Sequence, residues 1–120
     1  MKNMAYTILD GNLTADPEIK KLNSGRSVTT FSIAINHQGK SEDAEDVSFI
    51  EVETWEKLAE NCAEFLKKGR MVTVIGTLKQ ERWKTQEGSS RQKFKVIASS
   101  VRFDNFGEKN RKEEGGKKAA

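Results

Sequence analysis

Three aromatic residues lie on the sides of strand-like stretches that alternation predicts to face water. Phe49 and Trp55 share one side of their stretch with two glutamates, while the apolar Val52 falls on the other side. Trp83 falls on the charged side of a later stretch, together with Lys79. Flat rings on a solvated, partly cationic face suit nucleic acid, which offers flat bases and anionic phosphates. Phe49, Trp55 and Trp83 are therefore the candidate stacking residues.

An aromatic residue can also pack under a loop or at a subunit interface. For any one of the three rings alone, that interpretation would be preferred. Three rings on adjacent strands, beside a lysine, favour base stacking instead, and each stacked base contributes ~1–3 kcal/mol by alanine substitution.

The basic residues that could neutralise phosphates are concentrated in one segment. The net charge of the chain is only +3, yet residues 67–102 hold ten Lys or Arg and only two Glu. An acidic loop at residues 42–46 precedes this segment. A polyanion is therefore expected to meet one face of the molecule and avoid another. The candidate phosphate contacts are Lys79, Lys84, Arg91 and Lys93, with Lys20, Lys21 and Arg26 as weaker candidates.

The order of the predicted elements indicates the fold. Five strand-like stretches lie at about residues 4–13, 27–36, 47–55, 70–83 and 92–103. Residues 56–68 instead have apolar side chains at helical spacing, followed by Gly69 at the expected left-handed stop. A doubly wound parallel sheet does not produce this order. The order of three strands, a helix and two strands instead predicts an all-β protein, a five-stranded Greek-key OB-fold barrel with one α-helix between strands 3 and 4.

Alternation and helical spacing also predict where individual side chains lie. Lys67 and Lys68 are expected at the surface of the last helical turn, where cations are favourable. The expected core side chains are Phe31, Ile33, Ile35, Ile50, Val52, Val72, Val74 and Leu78 from the strands, and Leu58, Cys62, Phe65 and Leu66 from the helix.

The sequence offers little for catalysis or metal binding. His37 and Cys62 are the only residues of their types, so a nucleophile pair, a zinc site or a disulfide cannot be assembled. Glu51 and Glu53 share a strand face and could act as acid and base in a small nuclease. Two solvated carboxylates that balance neighbouring cations are the preferred interpretation. We therefore expect no enzyme activity, no cofactor and no metal.

Composition and hydropathy predict the domain organisation and the compartment. With 120 residues the chain has room for one modest core. We expect one domain at residues 1–104 and a disordered tail at 105–120, where Phe106 is the only large apolar residue. No stretch has the length of a signal or membrane segment, so we expect a cytoplasmic protein.

Four stretches carry a family resemblance that covers about residues 4–104. They read ILDGNLTADPEIK, SVTTFSIAIN, WEKLAENCAEFLKKGRMVTVIGTLKQERW and KFKVIASSVRFD. The early Gly-Asn-Leu and Asp-Pro, followed much later by KLAE and KKG, are specific signals. In these stretches the chain resembles the bacterial-type single-stranded DNA-binding proteins.

The resemblance implies a homotetramer that wraps single-stranded DNA without sequence preference and protects it during replication, recombination and repair, in the nucleoid. The family's stacking positions fall on Phe49, Trp55 and Trp83. Many members have a further aromatic residue in the loop after the second strand, where this chain offers only His37 as a substitute. Members also typically end in an acidic tail that recruits replication and repair proteins, whereas this chain ends in GGKKAA. The chain is therefore either truncated or a natural variant without this tail, and replication and repair proteins stay open as partners.

One alternative from another functional class stays open. The same barrel could serve as an oligomeric, primosome-type adaptor that uses the aromatic face for protein contacts. Quenching of tryptophan fluorescence by oligo-dT would separate the two functions.

Overall fold

A computed structural model describes residues 1–37 and 46–104. The described chain forms six strands and one helix. In chain order these are β1 (Tyr6–Leu13), β2 (Glu18–Lys21), β3 (Ser27–Asn36), β4 (Val47–Trp55), α1 (Glu56–Phe65), β5 (Met71–Lys84) and β6 (Ser90–Phe103).

Five of the strands form a ring, as predicted for the OB-fold. Neighbours in the sheet follow the order β1-β5-β6-β4-β3, and β1 also pairs with β3 through Asn12 and Leu13. β4 and β6 are parallel, and the other pairings are antiparallel. The helix α1 connects β4 to β5, which are the third and fourth strands of the prediction. The all-β Greek-key barrel with one inserted helix is confirmed, although the ring closes through few residues at β1–β3.

The prediction missed β2, which pairs with the outer edge of β3. None of the five strands predicted from the sequence lies within residues 14–26. All four residues of β2 are exposed, so no alternation of apolar and polar side chains marks this strand. Its backbone pairing with β3, and not burial, holds it in an extended conformation.

The core fills the ring and is closed by α1. Burial alternates along β3, where Phe31 and Ile33 are inside, and Val72 and Val74 of β5 face them. Cys62 of α1 is fully buried, and burial raises the pKa of its thiol to about 11.

The helix ends three residues earlier than predicted. α1 stops at Phe65, and the backbone at Leu66 is extended, which turns that side chain into the core. Lys67 and Lys68 therefore follow the helix and are not part of its last turn. Gly69 has the predicted positive φ, 89°, in the turn that leads into β5. Phe65, expected in the core, is 54% exposed and packs beside Phe103.

Two glycines allow strands to approach closely. A Cβ at Gly11 would lie 2.5 Å from the carbonyl oxygen of Ala34, where β1 meets β3. A Cβ at Gly76 would clash with the carbonyl oxygen of Ile97, at an irregularity in the β5–β6 register. Glycine is therefore required at both positions by space, and not by the sign of φ.

Beyond Gly76, β5 and β6 continue as a long hairpin outside the core. Leu78 was expected to face the core with Val74, but it is 42% exposed. Side chains still alternate between the two faces in this part of the hairpin. No other strand or helix among the described residues packs on the face that carries Leu78. A period of two predicts which side chains share a face, whereas it cannot predict whether that face is covered.

Some predictions fall on residues outside the described part. The expected tail at 105–120 and residues 42–45 of the acidic loop are among them. Within the described residues no helix is long and apolar enough to cross a membrane.

Candidate nucleic-acid interface

One face of the sheet brings the predicted stacking residues together with charged side chains. β4 lies between β3 and β6, and β5 lies beyond β6, so the outward side chains of β4, β6 and β5 form a continuous surface. We call this surface the aromatic face. It comprises Phe49, Glu51, Glu53 and Trp55 of β4, Arg91, Lys93 and Lys95 of β6, and Lys79, Glu81 and Trp83 of β5.

The three rings lie apart on this face and are exposed to different degrees. Phe49 is 67% exposed and Trp83 is 45% exposed, while Trp55 is half-buried. Phe49 and Trp55 are six residues apart on one strand, which corresponds to roughly 20 Å. The register of β4, β6 and β5 puts Trp83 nearer to the Phe49 end of β4. The rings thus mark an extended path and not a single pocket.

A ladder of ion pairs crosses the middle of the aromatic face. Lys93 Nζ lies 2.8 Å from Glu51 Oε1, and Lys95 Nζ lies 2.7 Å from Glu53 Oε1. Glu81 of β5 lies 3.6 Å from Lys93 and 3.4 Å from Lys95. The expectation that Glu51 and Glu53 balance neighbouring cations agrees with these contacts. The ladder also joins β4 to β6, whose parallel register is short.

Burial separates the two lysines of the ladder. The side chain of Lys95 is only 12% exposed and that of its partner Glu53 14%, whereas the side chain of Lys93 is 40% exposed. Hydrogen bonding to Glu53 raises the pKa of Lys95 against the effect of burial, and hydrogen bonding to Glu51 raises that of Lys93. Both lysines are therefore cations at neutral pH, but Lys93 is the more accessible to a ligand.

Glu53 also contacts the neighbouring ring. Its Oε2 accepts a hydrogen bond of 2.7 Å from Nε1 of Trp55, while its Oε1 binds Lys95. Burial by itself raises the pKa of Glu53, but the hydrogen bonds from Lys95 and Trp55 outweigh this effect and lower the pKa below its usual value. Glu53 is thus an ionised carboxylate with a partner at each oxygen.

A cation lies over each tryptophan. The guanidinium carbon of Arg26 is 4.5 Å from the centroid of the Trp55 ring, and Arg26 also forms an ion pair with Glu56. Lys93 Nζ is 5.8 Å from the centroid of the Trp83 ring. Both distances lie within the range of cation–π attraction. Arg26, a weaker candidate from the sequence, therefore lies beside a candidate stacking ring.

The remaining candidate cations are divided between two surfaces. Lys79 and Arg91 lie on the aromatic face, and Arg91 is paired in register with Trp83. Alternation along β5 puts Lys84 on the opposite face of the hairpin, near its tip. An open concavity of about 590 Å³ at this tip is lined by Arg82, Trp83, Lys84, Ser90, Arg91 and Gln92. Lys84 and Arg91 therefore both line this concavity, although their strands direct them to opposite faces of the hairpin. Lys20 and Lys21 lie on the exposed strand β2.

Two features of the aromatic face and one of the opposite face were not predicted. Lys95 was not a candidate, and the hydrogen bond between Glu53 and Trp55 was not expected, although their spacing of two residues puts them on one face. Phe94 is 51% exposed on the other face of the hairpin, opposite Gln80. An apolar residue among the charges of residues 91–95 was the available signal for Phe94.

Catalytic and metal-binding arrangements find no further support in the described residues. No group of three His, Cys, Asp or Glu side chains lies close enough to hold a metal ion within residues 1–37 and 46–104. The ring of His37 is hydrogen-bonded to Ser48 through Nε2, at 2.9 Å. Its role as a substitute for a loop aromatic stays a prediction.

Known proteins share both the sequence pattern and the fold. The sequence profile described as "Single-strand binding protein family" matches residues 4–104. The single-stranded DNA-binding protein of Treponema pallidum is 38% identical over 105 residues, 86% of this chain and 59% of that protein. Single-stranded DNA-binding protein 2 of Chlorobaculum tepidum is 39% identical over 114 residues, 92% of this chain and 77% of that protein.

The fold has a solved counterpart. A structure described as "Plasmodium falciparum SSB complex with ssDNA" matches with a TM-score of 0.79 and 25% identity, over 88% of this chain and 98% of that chain. The family profile covers far more than half of the sequence and the structural match covers the barrel. The chain belongs to the single-strand binding protein family.

Proposed function

We propose that this protein binds single-stranded DNA without sequence preference, through base stacking on Phe49, Trp55 and Trp83. The observation that supports this most directly is that three rings and several cations share one open face of an OB-fold sheet. Related proteins that are named single-stranded DNA-binding proteins support the same conclusion. No enzymatic step or cofactor is part of the proposal.

The proposed mechanism combines two physical effects. Bases of every type present a flat π surface, so stacking on the three rings contributes affinity without reading the sequence. Phosphates are neutralised by Lys79, Arg91 and Lys93 on the aromatic face, and by Lys84 at the hairpin tip. Because cations condensed on the DNA are released, binding is expected to weaken as salt increases.

A fluorescence titration tests this function. Oligo-dT added at low salt should quench the emission of the two tryptophans, and added salt should reverse the quenching. Duplex DNA of the same length serves as the control, since its bases are already stacked on one another. Absence of quenching by oligo-dT at low salt would exclude the function and favour the adaptor alternative. Cleavage of labelled single strands with magnesium, abolished by Glu51→Gln, would instead favour a nuclease.

We propose in addition that the protein is a homo-oligomer, and a tetramer by resemblance to its family. β1 pairs with β3 only through Asn12 and Leu13, so the rest of that edge has no pairing strand among the described residues. Tyr6 and Ile8 of β1 are 61% and 65% exposed. An unpaired strand edge with apolar side chains is suited to pair with another chain.

Light scattering tests the oligomer. The mass should correspond to four chains, and Ile8→Asp should lower it, while Ile19→Asp on β2 serves as a matched control. A monomer for the unsubstituted chain would exclude the proposal.

The proposed biological setting follows from the proposed function. We propose that the protein protects single strands during replication, recombination and repair in the bacterial cytoplasm, associated with the nucleoid. Residues 1–104 are proposed as the binding domain. Replication and repair proteins are proposed as partners in the same setting.

A further inference from the structure

We infer that Glu53 is a positioning residue that fixes the ring of Trp55 for stacking. This inference rests on the proposed function. It concerns the hydrogen-bonded chain from Lys95 through Glu53 to Trp55, which links β6 to β4. Glu53 does not touch the nucleic acid in this account and acts through the ring beside it.

The carboxylate of Glu53 connects two other side chains. Its two oxygens bind different groups, with Oε1 at 2.7 Å from Lys95 Nζ and Oε2 at 2.7 Å from Trp55 Nε1. Its side chain is 14% exposed and that of Lys95 is 12% exposed. A carboxylate held by a buried cation has little freedom to rotate, so the hydrogen bond to the indole has a fixed direction.

A second contact limits the rotation of the ring about that hydrogen bond. The guanidinium of Arg26 lies over the Trp55 ring at 4.5 Å and is itself bound to Glu56, at the start of α1. The indole is therefore held at its N–H by β4 and β6, and at one ring face by the segment before β3. Trp83 has a single cation over its ring and no hydrogen bond to its indole N–H among the contacts of the described residues.

Fixing the ring before the ligand arrives has a consequence for affinity. A free tryptophan side chain loses rotational freedom when a base stacks on it, and that loss weakens binding. A ring that is already fixed loses less. Removing the hydrogen bond is therefore expected to weaken binding by about two- to tenfold, the range for ordering one side chain.

The carboxylate has a further effect on the same ring. By pairing with Lys95, Glu53 neutralises the charge of that lysine and makes it unavailable to the ligand. The buried end of the ladder therefore supports the Trp55 ring and does not bind phosphate. At the exposed end of the ladder, Lys93 is paired with Glu51 but stays accessible to phosphate. The two pairs, although alike in composition, thus have different roles because they differ in burial.

The test compares Glu53→Ala with a rescuing variant. In Glu53→Ala the indole N–H of Trp55 loses its acceptor, and the indole signal of Trp55 should move in a ¹H–¹⁵N spectrum while that of Trp83 stays in place. Trp55→Phe assigns the signal. Binding of oligo-dT should weaken by about two- to tenfold.

Two further variants distinguish the positioning role of Glu53 from a purely structural role. Glu53→Ala leaves the largely buried Lys95 with only the more distant Glu81 as a partner. Glu53→Gln combined with Lys95→Met removes that charge and retains an oxygen that can accept from Trp55. This double variant should restore both the indole signal and most of the affinity. Glu64→Gln on α1, which is exposed and distant from the ring, is the control for loss of one negative charge.

The outcomes are distinguishable from a failure of the proposed function. If the unsubstituted protein does not bind oligo-dT, the proposed function itself fails. If it binds, and Glu53→Ala binds equally tightly or leaves the Trp55 signal unmoved, the positioning role is overturned. If the double variant folds but does not recover affinity, Glu53 acts through the fold and not through the ring, which also overturns it.

Discussion

Lys93 on β6 donates a hydrogen bond of 2.8 Å to the carboxylate of Glu51 on β4, across the middle of the aromatic face. Its ammonium is also the cation that lies over Trp83. A phosphate that binds Lys93 therefore competes with a carboxylate that is already present. The aromatic face is thus partly neutralised by the protein itself, which limits its attraction for polyanions.

The first prediction concerns this displacement. Glu51→Gln should strengthen binding to oligo-dT by about two- to fivefold, the range for an exposed ion pair. It should also make the decrease of affinity with salt steeper, because Lys93 then exchanges condensed cations and not a carboxylate. Fluorescence titrations at several salt concentrations measure both effects.

Glu64→Gln provides the control for that experiment, since it removes the same charge from an exposed position on α1. Equal effects of the two substitutions would mean that only net charge matters, which would contradict the displacement of Glu51 by phosphate.

The second prediction uses the two faces of the β5–β6 hairpin. Trp83→Ala should weaken oligo-dT binding by ~1–3 kcal/mol with little change in thermal stability, because the ring is 45% exposed and outside the core. Phe94→Ala removes a comparably exposed ring from the opposite face and should leave binding unchanged. Equal losses for both variants would indicate that the hairpin as a whole, and not the aromatic face, binds the strand.

The third prediction is a dependence of stability on pH. The lowered pKa of Glu53 means that its ion pair stabilises the fold above the carboxyl pKa of the unfolded chain, about 4.3. This contribution is lost as the pH falls through the lower pKa of the folded state. Glu53→Gln should therefore destabilise the protein at pH 7, on the order of 1–3 kcal/mol, since it leaves the largely buried Lys95 with only the more distant Glu81 as a charge partner.

Urea unfolding at pH 7 and at pH 3 measures this dependence. The difference between Glu53→Gln and the unsubstituted protein should become smaller at the lower pH. A difference that is the same at both values would show that Glu53 is not ionised in the folded state.

The fourth prediction concerns strand packing at the β5–β6 irregularity. Gly76→Ala places a Cβ against the backbone of Ile97 and Ala98, neither of which can rotate away. The free energy of unfolding should fall by about 1–3 kcal/mol, the range for overpacking. Denaturant unfolding measures the change, and Ala34→Gly, which adds no atom, is the control for composition. An unchanged stability for Gly76→Ala would mean that the two strands can separate locally at no cost.

The faces of β3, β4 and β5 could be predicted because alternation is a local property of the sequence. It separated Phe49 and Trp55 from Val52 without knowledge of any partner strand. It failed for β2, where Glu18 to Lys21 are all exposed and the strand exists only through its pairing with β3. It also failed for Leu78, since coverage of a face depends on what packs there.

The ion-pair ladder could not be predicted for a different reason. Lys93 and Lys95 meet Glu51 and Glu53 through the parallel register of β4 and β6, and the chain between them includes α1 and β5. Charge composition indicated that these residues balance one another, whereas the choice of partners is set by tertiary pairing. The end of α1 was likewise decided by burial of Leu66, which outweighed continuation of the helix to Gly69.

Bases of a single strand are proposed to lie on the aromatic face. Photocrosslinking with an oligonucleotide that carries 5-iodouracil, followed by peptide mass spectrometry, tests this contact directly, because the photoreactive base must lie against the residue that it modifies. We expect crosslinks at Phe49, Trp55 or Trp83, and their loss on addition of unlabelled oligo-dT. Specific crosslinks confined to Phe94, Tyr6 or other residues outside the aromatic face would contradict this proposal.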